Sequence, residues 1–123
     1  IKNMPKAPVV IEKHIGSGQS PNYQPANDKV EMPLKEQYDN MAIWYGTAFH
    51  ELVHATGHKT RLGRKGVTDF NGFGTPEYAF EELVAELGSM FLNAESGILF
   101  QTLKKNAAYI KGWNGCYFYF KRR

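Results

Sequence analysis

Cysteine is nearly missing from this sequence: Cys116 stands alone, so no disulfide can form within the chain and any metal site must draw on histidine and carboxylate. Long apolar runs are missing too. The longest are a few residues, far below the ~20 needed to span a bilayer, and no basic-then-apolar start resembles a signal peptide. These absences argue against a disulfide scaffold and against a membrane helix, and leave a soluble, cytoplasmic protein with no membrane partner as the expectation. Charge of one sign is scarce as well: 15 Lys and Arg against 12 acids give a net +3, too mild to mark a nucleic-acid binder by itself. No initiator Met opens Ile1-Lys2-Asn3, which reads as a piece of a longer protein. There are no repeats or low-complexity segments, and 123 residues give room for one domain, 1–123, around one core.

What is present is an ordinary globular mixture, 42% hydrophobic with 17 aromatics, able to bury a core. "PVVIEKHI", residues 8 to 15, predicts a strand with Val9, Ile11 and Ile15 set between polar residues. "NYQPANDKVEMP" predicts a hairpin about Asn27-Asp28, in which Val30 and Met32 alternate with Lys29 and Glu31. Pro25 and Pro33 belong at strand ends or edges. From Asp39 to about Thr56 the period becomes helical, with Ile43, Tyr45, Ala48, Phe49, Leu52 and Val53 on one stripe and Gly57 as the stop. Residues 57–76 are rich in Gly and charge and read as a long functional or mobile loop. A second helix starts at Thr75 as N-cap with Pro76 behind it and runs to about Ala94. Phe80, Leu83, Val84, Leu87 and Phe91 are expected to form its core stripe, with Glu82, Glu86 and Ser89 on a different face. A shorter helix is expected from Ala107 to Trp113, and "NGCYFYFKRR" after it reads as a strand or an unstructured stub.

The chemistry concentrates in "HELVHATGH", residues 50 to 58. His50 and His54 lie one helical turn apart, so both imidazoles leave the same face and can hold one ion at about 2 Å from each nitrogen. Glu51 between them completes H-E-x-x-H, the spacing in which a carboxylate accepts the proton of a water activated by zinc. With 4 His and 9 Glu in the chain, roughly 0.01 such matches would arise by chance, so the motif is informative. A catalytic zinc asks for a third protein ligand. The longer motif H-E-x-x-H-x-x-G-x-x-H fits as far as Gly57 and then meets Thr60, which leaves His58 as a residue beside the site, or as an alternative ligand. The preferred third ligand comes from "FEELVAELGSMF": two carboxylates one turn apart and turned inward would be costly without a cation. By analogy with the glutamate zincins, Glu82 coordinates and Glu86 orients a ligand histidine through its second ring nitrogen, with Glu81 as the fallback ligand. Tyr78, one turn before Glu82, is a candidate oxyanion stabiliser. His14 reads as a strand residue near an edge able to hold an extended peptide. The bases Lys59, Arg61, Arg64 and Lys65 follow the helix end whose dipole they complement, with phosphate binding as the competing reading. Lys121-Arg122-Arg123 form a second basic cluster.

"YQPANDKVEMP", "GTAFHELVHATGHKTRLGR", "YAFEELVAELGSMFL" and "AAYIKGW", in this order over roughly residues 8 to 113, resemble the C-terminal zincin-like metallopeptidase domain of ArdC-type antirestriction proteins of conjugative plasmids. The resemblance implies a zincin-like α+β fold: a small, mainly antiparallel sheet packed on the H-E-x-x-H helix and on a second, Glu-bearing helix. It implies Zn2+ as cofactor, a peptide or protein substrate, and a setting in which incoming DNA is protected from restriction-modification proteins. Such proteins bind single-stranded DNA through an N-terminal domain that is not in this sequence. Two functions compete: a gluzincin-like zinc metallopeptidase, and a non-catalytic zinc-containing module that blocks restriction enzymes or assists DNA protection.

Overall fold

Val9–Lys13 forms strand β1, Asn22–Gln24 strand β2 and Lys29–Pro33 strand β3 in the computed structural model, which describes residues 3–69 and 72–122. Ile1-Lys2, the Phe70-Asn71 step of the long connection and the terminal Arg123 lie outside the described residues. β2 and β3 fold back on each other across the expected turn, where Asp28 adopts a positive φ of 48°, a conformation Asn and Asp tolerate. β1 then joins β3 in parallel, Val10 opposite Val30, giving the order β1-β3-β2. The sheet is therefore mixed rather than mainly antiparallel. The chain crosses from β1 to the far edge before returning through the middle, so its first and third strands run the same way.

Val30 and Met32 of the central strand are wholly buried, as their alternation predicts. The opposite face carries Glu31, bridged by Lys13 at 2.8 Å and Lys29 at 3.0 Å. β1 is phased one residue away from expectation: Val9 and Ile11 face solvent and Val10 packs on the core. With a period of two, one step exchanges every inward residue for an outward one.

Helix α1, Met41–Thr56, begins at Asn40, whose side chain accepts from the Ala42 amide at 2.9 Å. Trp44, Ala48 and Leu52, four apart, lay one face of α1 on Val30 and Met32. Burying Leu52 or Met32 contributes about 1.5–3 kcal/mol each. Trp44 takes the inward place expected of Tyr45, and its indole N–H donates to the Pro33 carbonyl at 2.9 Å. Tyr45 stays more exposed, edge-on to Trp44.

The connection after α1 is not a free loop. It holds a single helical turn, α2, Lys65–Thr68, and two arginines tie it to the end of α1. Arg61 donates to the Ala55 carbonyl at 2.7 Å and pairs with Asp28, while Arg64 donates to the Val53 carbonyl at 2.8 Å. Both satisfy carbonyls that a helix end leaves unpaired. Gly57 ends α1 at φ −83°, so it is not there for a left-handed turn. A Cβ at Gly57 would stand 2.7 Å from Val67 and 3.0 Å from the Arg64 guanidinium. The glycine is what lets the connection lie against the helix.

Helix α3, Pro76–Glu95, has the predicted cap, Thr75 accepting from the Tyr78 amide. Its buried face is the reverse of the predicted one. Ala79, Glu81, Glu82, Ala85, Glu86, Ser89 and Asn93 are buried, whereas Phe80, Leu87 and Phe91 are exposed and Leu83 and Val84 half-buried. Helix α4, Leu99–Lys121, absorbs both the short helix expected at 107–113 and residues 114–121 of the segment read as a strand or stub. α1 lies between the sheet and the antiparallel α3–α4 pair. Among the described residues, no helix is long and apolar enough to cross a membrane.

Candidate metal centre

Residues four apart on α1 and consecutive on α3 meet face to face. His50 Nε2 and His54 Nε2 are 3.2 Å apart, Glu82 Oε2 lies 3.1 Å from the first and Glu82 Oε1 3.3 Å from the second. Bonds of about 2.0–2.1 Å to a tetrahedral zinc put neighbouring ligand atoms about 3.3 Å apart, and here the two imidazole nitrogens stand at that spacing with one Glu82 oxygen facing each of them. They form the His/Glu group whose ligand atoms lie within 4.8 Å of one another. The donor set fits a divalent ion.

The outer ring nitrogens are held as well. His50 Nδ1 meets Glu86 Oε1 at 2.8 Å and His54 Nδ1 meets Glu81 Oε2 at 2.8 Å. Each carboxylate accepts the outer N–H, which would leave Nε2 of each imidazole to hold an ion. Glu81, expected only as a fallback ligand, is placed behind His54 instead, where Arg64 also donates to it at 2.8 and 3.0 Å. Gly66 makes room: a Cβ there would come 2.6 Å from the Glu81 Cβ.

The electrostatics follow from burial and pairing. Burial opposes charge on His50, but hydrogen bonds to Glu82 and Glu86 prevail and raise it to about 10. Burial likewise opposes charge on His54, which Glu81 and Glu82 raise to about 9. Burial pushes Glu82 and Glu81 upward, yet their histidine partners, with Arg64 at Glu81, pull both below the usual carboxylate range. Three buried acids around two imidazoles thus hold a cationic centre: protons in the metal-free chain, a divalent ion in the loaded one.

Glu51 lines the same cleft, and burial raises its carboxyl; the Tyr23 backbone amide of the edge strand β2 hydrogen-bonds to it. Tyr78 is raised by burial and by its hydrogen bond to Glu82, and stands edge-on between Phe73 at 5.0 Å and Trp113 at 5.4 Å. His58 bonds to Thr60 at 2.8 Å and is not among the grouped ligands; His14 does not line the cleft. The cleft, about 690 Å³, runs between β2, α1, α3 and α4. Asn93, Thr102 and Asn106 carry no expectation from the sequence, Ser89 is placed by it only on the face of Glu82 and Glu86, and Arg64 reads as complementing the end of α1 or binding phosphate rather than as a partner of Glu81. The signal for the four helical residues is a polar stripe at helical spacing, 82, 86, 89 and 93 on one helix and 102 and 106 on the next; Arg64 has none.

A family model described as zincin-like metallopeptidase matches residues 6–117. Among curated relatives, a DNA primase TraC of Escherichia coli is 42% identical over 91 residues, 74% of this chain and 8% of the primase. The uncharacterized protein y4eC of Sinorhizobium fredii is 34% identical over 97 residues, 78% of this chain and 30% of that protein. The Mn(II)-bound crystal structure of the antirestriction ArdC protein from the R388 plasmid matches with a TM-score of 0.63 at 30% identity, covering 93% of this chain and 42% of that one. Its metal-free structure matches at 0.60 and 29% identity. The chain therefore spans less than a tenth of TraC and under half of ArdC.

Proposed function

Because the chain belongs to the zincin-like metallopeptidase family, we propose that it is a zinc-dependent peptidase domain of an antirestriction-type protein from a mobile element. The observation that carries this reading is the grouping of His50, His54 and Glu82, with ligand atoms within 4.8 Å of one another, beside Glu51 and lining the cleft. Zinc held there supplies Lewis acidity, polarising a peptide carbonyl and acidifying a water. Glu51 takes the proton from the attacking water at its carboxylate and later delivers it to the leaving amine. The Tyr23 amide holds the Glu51 carboxylate in place. Glu81 and Glu86 keep both imidazoles turned inward, and Tyr78 donates a hydrogen bond at Glu82, where a phenol can also steady negative charge developing on a substrate oxygen. Among the described residues β2 pairs only with β3, so its outer edge is available to line up an extended peptide next to Glu51.

Manganese is the ion named for the ArdC structure, and His2Glu donors accept either metal, so the choice of zinc rests on the H-E-x-x-H motif and the family's chemistry. The setting of DNA protection rests on the ArdC likeness, and restriction proteins are the partners that setting suggests.

Glu51→Gln tests the catalytic role. It should retain about one zinc per chain and lose cleavage of a peptide library by about 10²-fold or more. A mutant as active as the parent contradicts the role, and a zinc-loaded parent that cleaves nothing favours the non-catalytic binding module.

A further inference from the structure

We propose that Asn106 of α4 is a positioning residue for the metal centre, acting on His50 through Glu86; this rests on the metal-centre reading above. α4 contributes no ligand, yet its buried Asn106 donates from Nδ2 to Glu86 Oε2 at 2.9 Å, while Glu86 Oε1 accepts from His50 Nδ1 at 2.8 Å. One carboxylate is thereby shared between a ligand histidine and an amide on another helix.

The sense of this chain of bonds is fixed by chemistry. A carboxylate only accepts, so the amide nitrogen of Asn106 must face Glu86 and its oxygen must face Asn93, whose Nδ2 donates to it at 3.2 Å. Asn93 then donates also to Thr102 Oγ1 at 2.9 Å, which leaves Asn93 Oδ1 buried with no partner among the described residues. Buried acceptors are seldom orphaned, because the desolvation is uncompensated. The network accepts that loss at Asn93, two steps from Glu86, and keeps the Asn106 amide N–H on the carboxylate. Ser89 braces the same place, accepting from Asn106 Nδ2 at 3.2 Å and donating to the Glu86 carbonyl at 2.8 Å.

The arrangement matches the support of the other histidine. Glu81 behind His54 is gripped by Arg64, and Glu86 behind His50 by Asn106. A cation serves one arm and a neutral amide the other. Without Asn106, Glu86 loses one of its two anchors and is free to turn its Oε1 away from His50.

The experiment compares the parent, Asn106→Leu, Glu86→Gln, the double variant and Thr102→Val by zinc affinity in chelator competition and by the absorption spectrum of the cobalt-substituted protein. Asn106→Leu keeps the branched shape, at somewhat larger volume, and removes the donor. It should weaken zinc binding about 10-fold or more and alter the cobalt spectrum, and Glu86→Gln should do the same. The double variant should lose little beyond the worse single one, because both act on one path. Thr102→Val, which touches the network beyond Asn93, should lower thermal stability and leave zinc affinity unchanged, a pattern that general loosening of the α3–α4 seam cannot give. Parent affinity and parent spectrum in Asn106→Leu, or losses that multiply in the double variant, overturn the proposal. If Asn106→Leu fails to fold, Asn106→Ser, too short to reach Glu86, should show the same weakening, and parental affinity there overturns it equally. A parent that binds no zinc overturns the metal-centre reading itself, an outcome distinct from a zinc-binding parent indifferent to Asn106.

Discussion

At the scale of single residues, the site is a contest between burial and charge that pairing decides. In the metal-free chain His50 and His54 are raised from 6.5 to about 10 and about 9, so their pairs stabilise the fold fully below pH 6.5 and lose that contribution as pH rises through 9 to 10. Glu81 and Glu82 are depressed, so their contribution is present above their ordinary 4.5 and is lost as pH falls. The metal-free protein should therefore be most stable between these limits. Zinc replaces the histidine protons, so it competes poorly in acid and replaces a fading contribution in base. Melting curves with and without excess zinc should show a larger rise in Tm at pH 8.5 than at pH 5.5. An equal rise at both would mean that the ion does not displace these protons. His50, Glu51 and His54 were legible from spacing alone, because a motif on one helix carries its geometry with it. The supports were not: Glu81 and Arg64 are brought to His54 only by tertiary structure.

At the scale of elements, α1 and α3 must approach closely for a two-helix site to form, and Gly88 permits it. A Cβ there would stand 2.8 Å from Val53 Cγ1 on α1. Gly88→Ala should cost about 1–3 kcal/mol through overpacking and, by separating the helices that carry His50 and Glu82, weaken zinc binding as well. Calorimetric stability and chelator competition check the two effects, and a variant with parental values in both would show that the contact is soft. The boundaries of α1 and α3 were readable because Asn40, Thr75 and Pro76 cap by local chemistry. The face of α3 was not. Phe80, Leu87 and Phe91 give the stronger apolar stripe, but α3 turns Glu81, Glu82 and Glu86 inward, where His50, His54 and Arg64 pair them. α4 was hidden for a related reason: Gly112 and Gly115 weaken its local propensity, and its buried positions, Thr102 and Asn106, are polar. Packing on α3 supplies the order that the sequence of α4 does not advertise.

At the scale of the whole molecule, the sheet and α1 form the apolar core, and the far side of α1, facing α3 and α4, is given over to polar chemistry. The two jobs are divided across one helix: Trp44, Ala48 and Leu52 look to the sheet, His50 and His54 to α3. Two of the bases that suggested phosphate binding, Arg61 and Arg64, are consumed in holding this arrangement together. The central claim is that three side chains from these two helices form one metal site. Its most direct test is the zinc content per chain, by elemental analysis of protein purified without chelator, for the parent and for Glu82→Ala. About one zinc in the parent and a strong loss in the variant is the predicted result. A parent that takes up no zinc even when supplied with it, or a Glu82→Ala variant that holds it as well as the parent, would contradict the account.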